Sequence, residues 1–163
     1  MQASVIITTY NRAELMQKRA LKSALSQDFI DKEIIVVDHG STDGTFNLQR
    51  KYPKVRFVRI EKNSGIVSTA RNKGVQEAKG KYIVFLDDDN ELMPNFLSKT
   101  FPLLEAAVDM SAISSGRIVK HSGYEHYAPP YRSDHVGHEK FISLDWGWLI
   151  RKEVFDQIRY DEK

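Results

Sequence analysis

Three consecutive carboxylates, Asp87-Asp88-Asp89, end the apolar run Tyr82-Ile83-Val84-Phe85-Leu86. Acids this close repel one another and resist ionising together unless a cation or open water neutralises them, and a divalent metal is the simplest counter-ion. A second apolar run, Ile34-Ile35-Val36-Val37, ends in Asp38-His39-Gly40-Ser41-Thr42-Asp43, and a third, Val5-Ile6-Ile7, ends in Thr8-Thr9-Tyr10-Asn11-Arg12. These types together suit a nucleoside diphosphate: a ring to stack on the base, hydroxyls and carboxylates for ribose and base edges, and acids to hold a metal against the diphosphate. The plainer reading of an isolated acidic triplet is a solvated turn capping the next helix. Convergence of three polar strand ends is what favours a ligand. There is no GxxxxGK[ST] phosphate loop and no GxGxxG after the first run, which argues against a P-loop NTPase and a dinucleotide fold.

The candidates can converge only if their elements share a sheet. Residues 3–7, 34–37 and 82–86 read as strands buried on both faces, and 55–60 alternates like a strand nearer an edge. Residues 13–27 place Leu15, Ala20, Leu21, Ala24 and Leu25 at helical spacing. Residues 41–52 read as a helix capped by Ser41, Thr42 or Asp43 and ended by Pro53. A helix starting at Asn63-Ser64-Gly65 carries Ile66, Ala70, Gly74 and Ala78 on one face, with Gly80 as its stop signal. Residues 95–108 form another, with Pro94 in its first turn and Pro102 expected to kink it. This alternation implies parallel strands joined by crossover helices, and in such sheets ligands bind at the carboxyl ends of the strands. Beyond Val108 the pattern weakens: 110–119 reads as one strand, 121–140 as a loop, 141–150 as a strand and 151–158 as a helix. His121, His126, His135 and His138 have no third ligand spaced with them and read as solvated rather than metal-binding.

The 163 residues suffice for one domain with a real core. A net charge of +2, with Lys and Arg scattered among acids, argues against a dedicated nucleic-acid binder. The absence of cysteine excludes disulfides and thiolate metal sites and fits a reducing compartment. A strand beginning at Ala3 leaves no room for a signal peptide, and no apolar run approaches spanning length, so a cytoplasmic protein without a membrane span is expected.

Four segments resemble the successive signatures of family 2 glycosyltransferases, in the family's order and spacing across residues 3–95. They are Val5-Ile6-Ile7-Thr8-Thr9-Tyr10-Asn11-Arg12, Val37-Asp38-His39-Gly40-Ser41-Thr42-Asp43-Gly44-Thr45, Ala70-Arg71-Asn72-Lys73-Gly74, and Phe85-Leu86-Asp87-Asp88-Asp89-Asn90 with Pro94. Residues 146–155 match more weakly. The resemblance implies a GT-A fold: an α/β, Rossmann-like, mostly parallel sheet flanked by helices on both faces, forming a single domain over 1–163. Within it, 1–108 would bind the nucleotide sugar and 109–163 would form part of the acceptor side. It also implies a hexosyltransferase-type enzyme of polysaccharide biosynthesis. Such an enzyme uses a nucleoside-diphosphate sugar, UDP-sugar first, with Mn²⁺ or Mg²⁺, and transfers the sugar with inversion to a hydroxyl of a glycan or other acceptor.

By the same resemblance Asp87-Xaa-Asp89 matches the DXD motif, with Asp89 and Asp87 as metal ligands and Asp87 and Asp88 orienting the donor. Thr8 and Tyr10 match the nucleobase pocket, with Arg12 beside them. Asp38 and His39 match the pair that reads the base or ribose, and Arg71 matches an arginine near the nucleotide. His39 stands where Asp or Asn is common, although a neutral imidazole still accepts a hydrogen bond. Thr8 stands where Pro is more usual. The family places its catalytic base in an acidic motif a short way past the segment that 155–162 resembles. The last residue here is Lys163, so the usual base is expected beyond Lys163 and the sequence is expected to be a truncated piece. Within it Asp145 is the candidate base, with pairing to Arg151 or Lys152 as the alternative role. Trp146 and Trp148 would stack on an acceptor sugar or join the core. Without a base the chain would be a non-catalytic nucleotide-sugar-binding fragment. A phosphoacceptor signalling domain also gathers acids around Mg²⁺, but on its first and third strands rather than its second and fourth. A sheet cut after its last helix would expose apolar surface, so a homo-oligomer is expected.

Overall fold

Every residue of Ala3–Thr9 is buried, as a strand with neighbours on both sides and helices on both faces must be. The structure, a computed structural model, describes residues 1–121, 124–128 and 147–163. In chain order it has strand β1 (Ala3–Thr9) and a continuous helical segment made of α1 (Ala13–Met16), a π-helical turn (Gln17–Leu21) and α2 (Lys22–Leu25). Then come β2 (Lys32–His39), a 3-10 helix (Thr45–Arg50), β3 (Arg56–Ile60), α3 (Val67–Glu77), β4 (Tyr82–Asp87) and α4 (Phe96–Ala106). The remainder is β5 (Ala112–Ser114), β6 (Arg117–His121), β7 (Tyr124–Ala128), β8 (Trp148–Arg151) and α5 (Val154–Gln157). The main sheet has the order β3-β2-β1-β4-β8-β5, with β6 and β7 forming a separate hairpin.

The expected parallel core is present: β1 pairs in parallel with β2 and β4, and β2 with β3. Register then places the chemistry. Thr8 lies opposite Asp87 on one side, while Thr9 lies opposite Asp38 on the other. The pleat divides the core into two layers. Val5, Ile7, Ile34, Val36, Val84 and Leu86 face Met16, Leu21, Leu97 and Leu104, whereas Ile6, Ile35, Val37, Ile83 and Phe85 face Ala70, Ala78 and Phe155. Each such aliphatic side chain, fully buried, contributes about 1.5–3 kcal/mol. Helix α3 lies so close to the sheet that a Cβ on Gly74 would collide with Ile6 Cγ2. Glycine at that position of the shared helical face is what permits the approach.

Several boundaries differ from expectation. The helix expected over 41–52 is a six-residue 3-10 helix, because Gly44 at φ 84° delays its start and Pro53 prevents extension. The single strand expected over 110–119 divides into β5 and β6. The break includes Gly116, against which the exposed Tyr127 ring lies. Strand β7 falls inside the segment read as a loop and pairs with β6. Strand β8 is antiparallel to both β4 and β5 and lies between them, a placement no local pattern reveals. Helix α5 is shorter than the expected 151–158, and α4 runs on with Pro102 inside it. Residues 141–146 lie outside the described residues. Among the described residues no helix is long and apolar enough to cross a membrane.

Candidate functional site

The loop after β1 is tied to the loop after β2. Asn11 takes a left-handed backbone (φ 52°), costly for a residue with a side chain unless its surroundings hold it. Here its N–H donates to Ser41 Oγ at 2.8 Å, and its Oδ1 accepts the Thr42 N–H at 2.7 Å. Asp43 accepts the N–H of Ala13, the first residue of α1, at 2.9 Å and that of Thr45 at 3.0 Å. Burial would raise the Asp43 pKa, but these bonds outweigh it and hold the carboxyl below its ordinary value. The capping role expected for Asp43 is therefore met twice, once for a helix 30 residues away in sequence.

The acidic triplet diverges where β4 ends at Asp87 and the chain turns through Asp88 and Asp89. Asp87 lies on the α3 face, where Arg71 Nη2 donates to its Oδ1 at 3.0 Å. Asp88 points to the opposite face and is 6% exposed, accepting the Thr9 hydroxyl at 2.8 Å and Arg12 Nη1 at 3.0 Å. Hydrogen bonding to Asp88, then its charge, raises the Arg12 pKa further. Asp89 is half exposed, 3.4 Å from the same Arg12 nitrogen, and Arg19 Nη1 donates to its backbone carbonyl at 2.9 Å. Two guanidiniums and a hydroxyl thus offset the crowding of three carboxylates.

On the other flank Asp38 is fully buried. Its oxygens accept the Ser41 N–H at 2.9 Å and Arg59 Nη1 at 2.8 Å. His39, on the α3 face, accepts the Ser64 N–H at Nε2, 3.1 Å away, which leaves the ring proton on Nδ1. Burial lowers the His39 pKa, and the Asp38 charge opposes that shift only in part.

A cleft of about 820 Å³ opens along these strand ends. Thr8, Tyr10, Arg12, His39, Arg71, Asp87, Asp88 and Asp89 all line it; Asp38 does not. The structure therefore brings together every donor and metal candidate except Asp38, which stands behind the wall and braces Arg59 and the Ser41 turn. Asp145 and Trp146 lie outside the described residues, as do His135 and His138. Lys163, past which the usual base is expected, is not among the residues lining the cleft; its N–H donates to Asp161 Oδ1 at 3.0 Å. Trp148 starts β8 and lies against the α3-side core. The far wall is Asn63 to Val67, whose residue types signal only a helix start, although Gly65 at φ 78° marks a turn. Thr9, Asn11 and Arg59 are further contributors that their types alone did not single out.

The cleft's oxygen donors fit a divalent cation of the hard type. Asp87 and Asp89 offer carboxylate oxygens beside open space, and Mg²⁺-like ions commonly take one or two carboxylates and complete their shell with substrate phosphates and water. Among the described residues no group of three or more His, Cys, Asp or Glu is placed to hold a metal unaided. An open site shared with a phosphate ligand is the arrangement these residues allow.

The sequence profile of the family described as "Glycosyl transferase family 2" matches residues 4–159. The chain belongs to glycosyltransferase family 2. Among its relatives, the cholesterol galactosyltransferase of Borreliella burgdorferi is 39% identical over 99 residues, covering 59% of this chain and 27% of that protein. Staphylococcus aureus TarS, residues 1–349, solved with UDP-GlcNAc, superposes with a TM-score of 0.78 at 23% identity over 99% of this chain and 49% of that one. The mannosyltransferase PcManGT of Pyrobaculum calidifontis, solved with GDP-Man and Mn²⁺, gives 0.61 at 28% identity over 74% of this chain and 36% of that one. The fold is thus GT-A. This family 2 chain spans about half or less of each of these proteins.

Proposed function

We propose that the chain binds a nucleoside-diphosphate sugar in the cleft together with Mn²⁺ or Mg²⁺ and contributes to sugar transfer with inversion onto an acceptor hydroxyl. The observation that carries this reading is the convergence of Thr8, Tyr10, His39, Arg71, Asp87 and Asp89 on one cleft at the strand ends of a family 2 fold. Asp87 and Asp89 would hold the metal, whose chemistry is to neutralise charge gathering on the departing diphosphate. Tyr10, 46% exposed at the cleft, offers a ring face to the base. His39 offers the base or ribose an Nδ1–H donor, because its Nε2 is engaged by Ser64. A donor at this position suits a carbonyl oxygen such as those of uracil, which supports UDP-sugar as the first donor to test. Arg12 and Arg71 add positive charge on either side of the acids, where the diphosphate would lie.

The base is proposed to be Asp145 or an acid that a longer chain supplies beyond Lys163. Among the described residues the carboxylates lining the cleft are Asp87, Asp88 and Asp89, each already paired with an arginine. That pairing favours, as a second reading, donor binding without turnover by this length of chain. Calorimetric titration with UDP, GDP and CMP, each with and without Mn²⁺, followed by a donor-turnover assay, separates the two. Metal-dependent binding that Asp89→Ala abolishes is expected. Binding to Asp89→Ala as tight as to the native chain would remove the metal assignment, and no binding of any nucleotide would remove the donor site.

A further inference from the structure

The segment after α5 has neither helix nor strand, yet it is fixed against the acidic strand end. Asn72, buried on α3, accepts the Tyr160 N–H at 3.1 Å and donates to the Tyr160 carbonyl at 2.9 Å. Its carboxamide does for that residue what a neighbouring strand would do. The same amide nitrogen donates to Glu162 Oε1 at 2.6 Å. So held, the Tyr160 ring meets Phe85 edge-on at 5.4 Å and stacks with Phe155 at 6.2 Å. The guanidinium of Arg71 lies over both rings of this edge-on pair, 5.5 Å from the Tyr160 centroid and 5.9 Å from that of Phe85. Arg71 is 6% exposed and reaches Asp87.

We infer that Asn72 and Tyr160 form a clasp that positions Arg71, and through it Asp87, for metal-dependent donor binding. Neither is among the described residues lining the cleft, so they act as positioning residues. Two aromatic faces hold a guanidinium by cation–π attraction and keep water from it. With one face removed, Arg71 gains freedom and its ion pair with Asp87 becomes a solvated one that fixes little. The inference builds on the donor-site reading proposed above. It places the C-terminal segment, which supplies no atom to the cleft, in control of a cleft carboxylate.

The test compares Tyr160→Phe, Tyr160→Ala and Asn72→Ala in the full chain. It uses Mn²⁺ and UDP titrations, thermal unfolding, and hydrogen exchange of the Arg71 Nε–H by NMR. Tyr160→Phe keeps the ring and is expected to match the native chain in all three. Tyr160→Ala and Asn72→Ala are expected to weaken Mn²⁺-dependent UDP binding by roughly ten- to hundredfold, the range for supporting partners of metal ligands, and to speed Arg71 Nε–H exchange. If Tyr160→Ala does not fold, Tyr160→Leu keeps apolar bulk without the ring face and is expected to show the same losses. Folded variants lacking the ring that retain UDP affinity within twofold would overturn the clasp, as would Tyr160→Phe losing affinity like Tyr160→Ala. A native chain that binds no nucleotide would overturn the donor site instead, leaving Arg71 exchange to decide the clasp.

Discussion

Arg12 is a built-in counter-cation for the acids it contacts, and removing its charge should tighten binding of a free metal ion. Arg12→Gln deletes the charge beside Asp89 and leaves buried Asp88 with its Thr9 hydroxyl bond. A dication held by Asp89 would sit about 5 Å from the guanidinium, where two unit charges repel by about 0.8 kcal/mol in water, or about 1.6 kcal/mol for a dication. Arg12 is about half exposed, and salt reduces this to about 1 kcal/mol, a gain of roughly fivefold in Mn²⁺ affinity. Electron paramagnetic resonance of free Mn²⁺, titrated against the nucleotide-free variant, reads that gain directly. With UDP present the gain should shrink or reverse, because a cation beside the diphosphate then favours binding. Equal or weaker Mn²⁺ affinity for the nucleotide-free, fully folded variant would refute the reasoning.

Tyr10→Ala should weaken nucleotide binding by about 1–3 kcal/mol, the cost of losing one ring–base stack, and calorimetry giving unchanged affinity would move the base elsewhere. His39 carries a pH dependence of stability. Its folded pKa lies below the ordinary value of about 6.5, so its contribution is complete above that value and is lost as pH falls from there through the folded value. Thermal unfolding across about pH 7 to 5 should show a steeper acid loss for the native chain than for His39→Gln, and identical slopes would count against a buried neutral imidazole.

Much of the fold was legible because its strands are continuous apolar runs and its helices keep a single apolar face. Ile34 to Val37 and Tyr82 to Leu86 could hardly be anything but central strands, and their polar ends had to lie along one edge. Strands within 110–119 and 141–150 are legible, but their place at the β5–β8 edge is not, since Trp148–Arg151 inserts beside β4 from a distant part of the chain and pairs with the three-residue Ala112–Ser114. A pairing that is entirely non-local leaves no periodic trace. The far wall of the cleft was missed for a related reason. Ser64 enters through its backbone N–H and its hydroxyl, each 3.1 Å from His39 Nε2, and a lone serine in a loop carries no signal of such a contact.

The fate of Asp38 shows what the sequence did contain and composition alone concealed. Side chains alternate across a strand, so parity assigns each strand-end residue to a face before any coordinate is known. Ile6, Val37 and Phe85 belong to the α3 layer; two residues on from each stand Thr8, His39 and Asp87, and all three line the cleft. Ile7, Val36 and Leu86 belong to the opposite layer, and two residues on stand Thr9, Asp38 and Asp88, all 7% exposed or less. The first set meets the ligand space. The second, although Thr9 and Asp88 border the cleft, bonds to Arg12, Arg59 and the Ser41 turn and holds the loops that shape it. Past Asp87 the strand gives way to a turn, and the turn spreads the metal candidates. Asp88, between Asp87 and Asp89, is the buried one of the three, and its carboxylate accepts from Arg12 and the Thr9 hydroxyl.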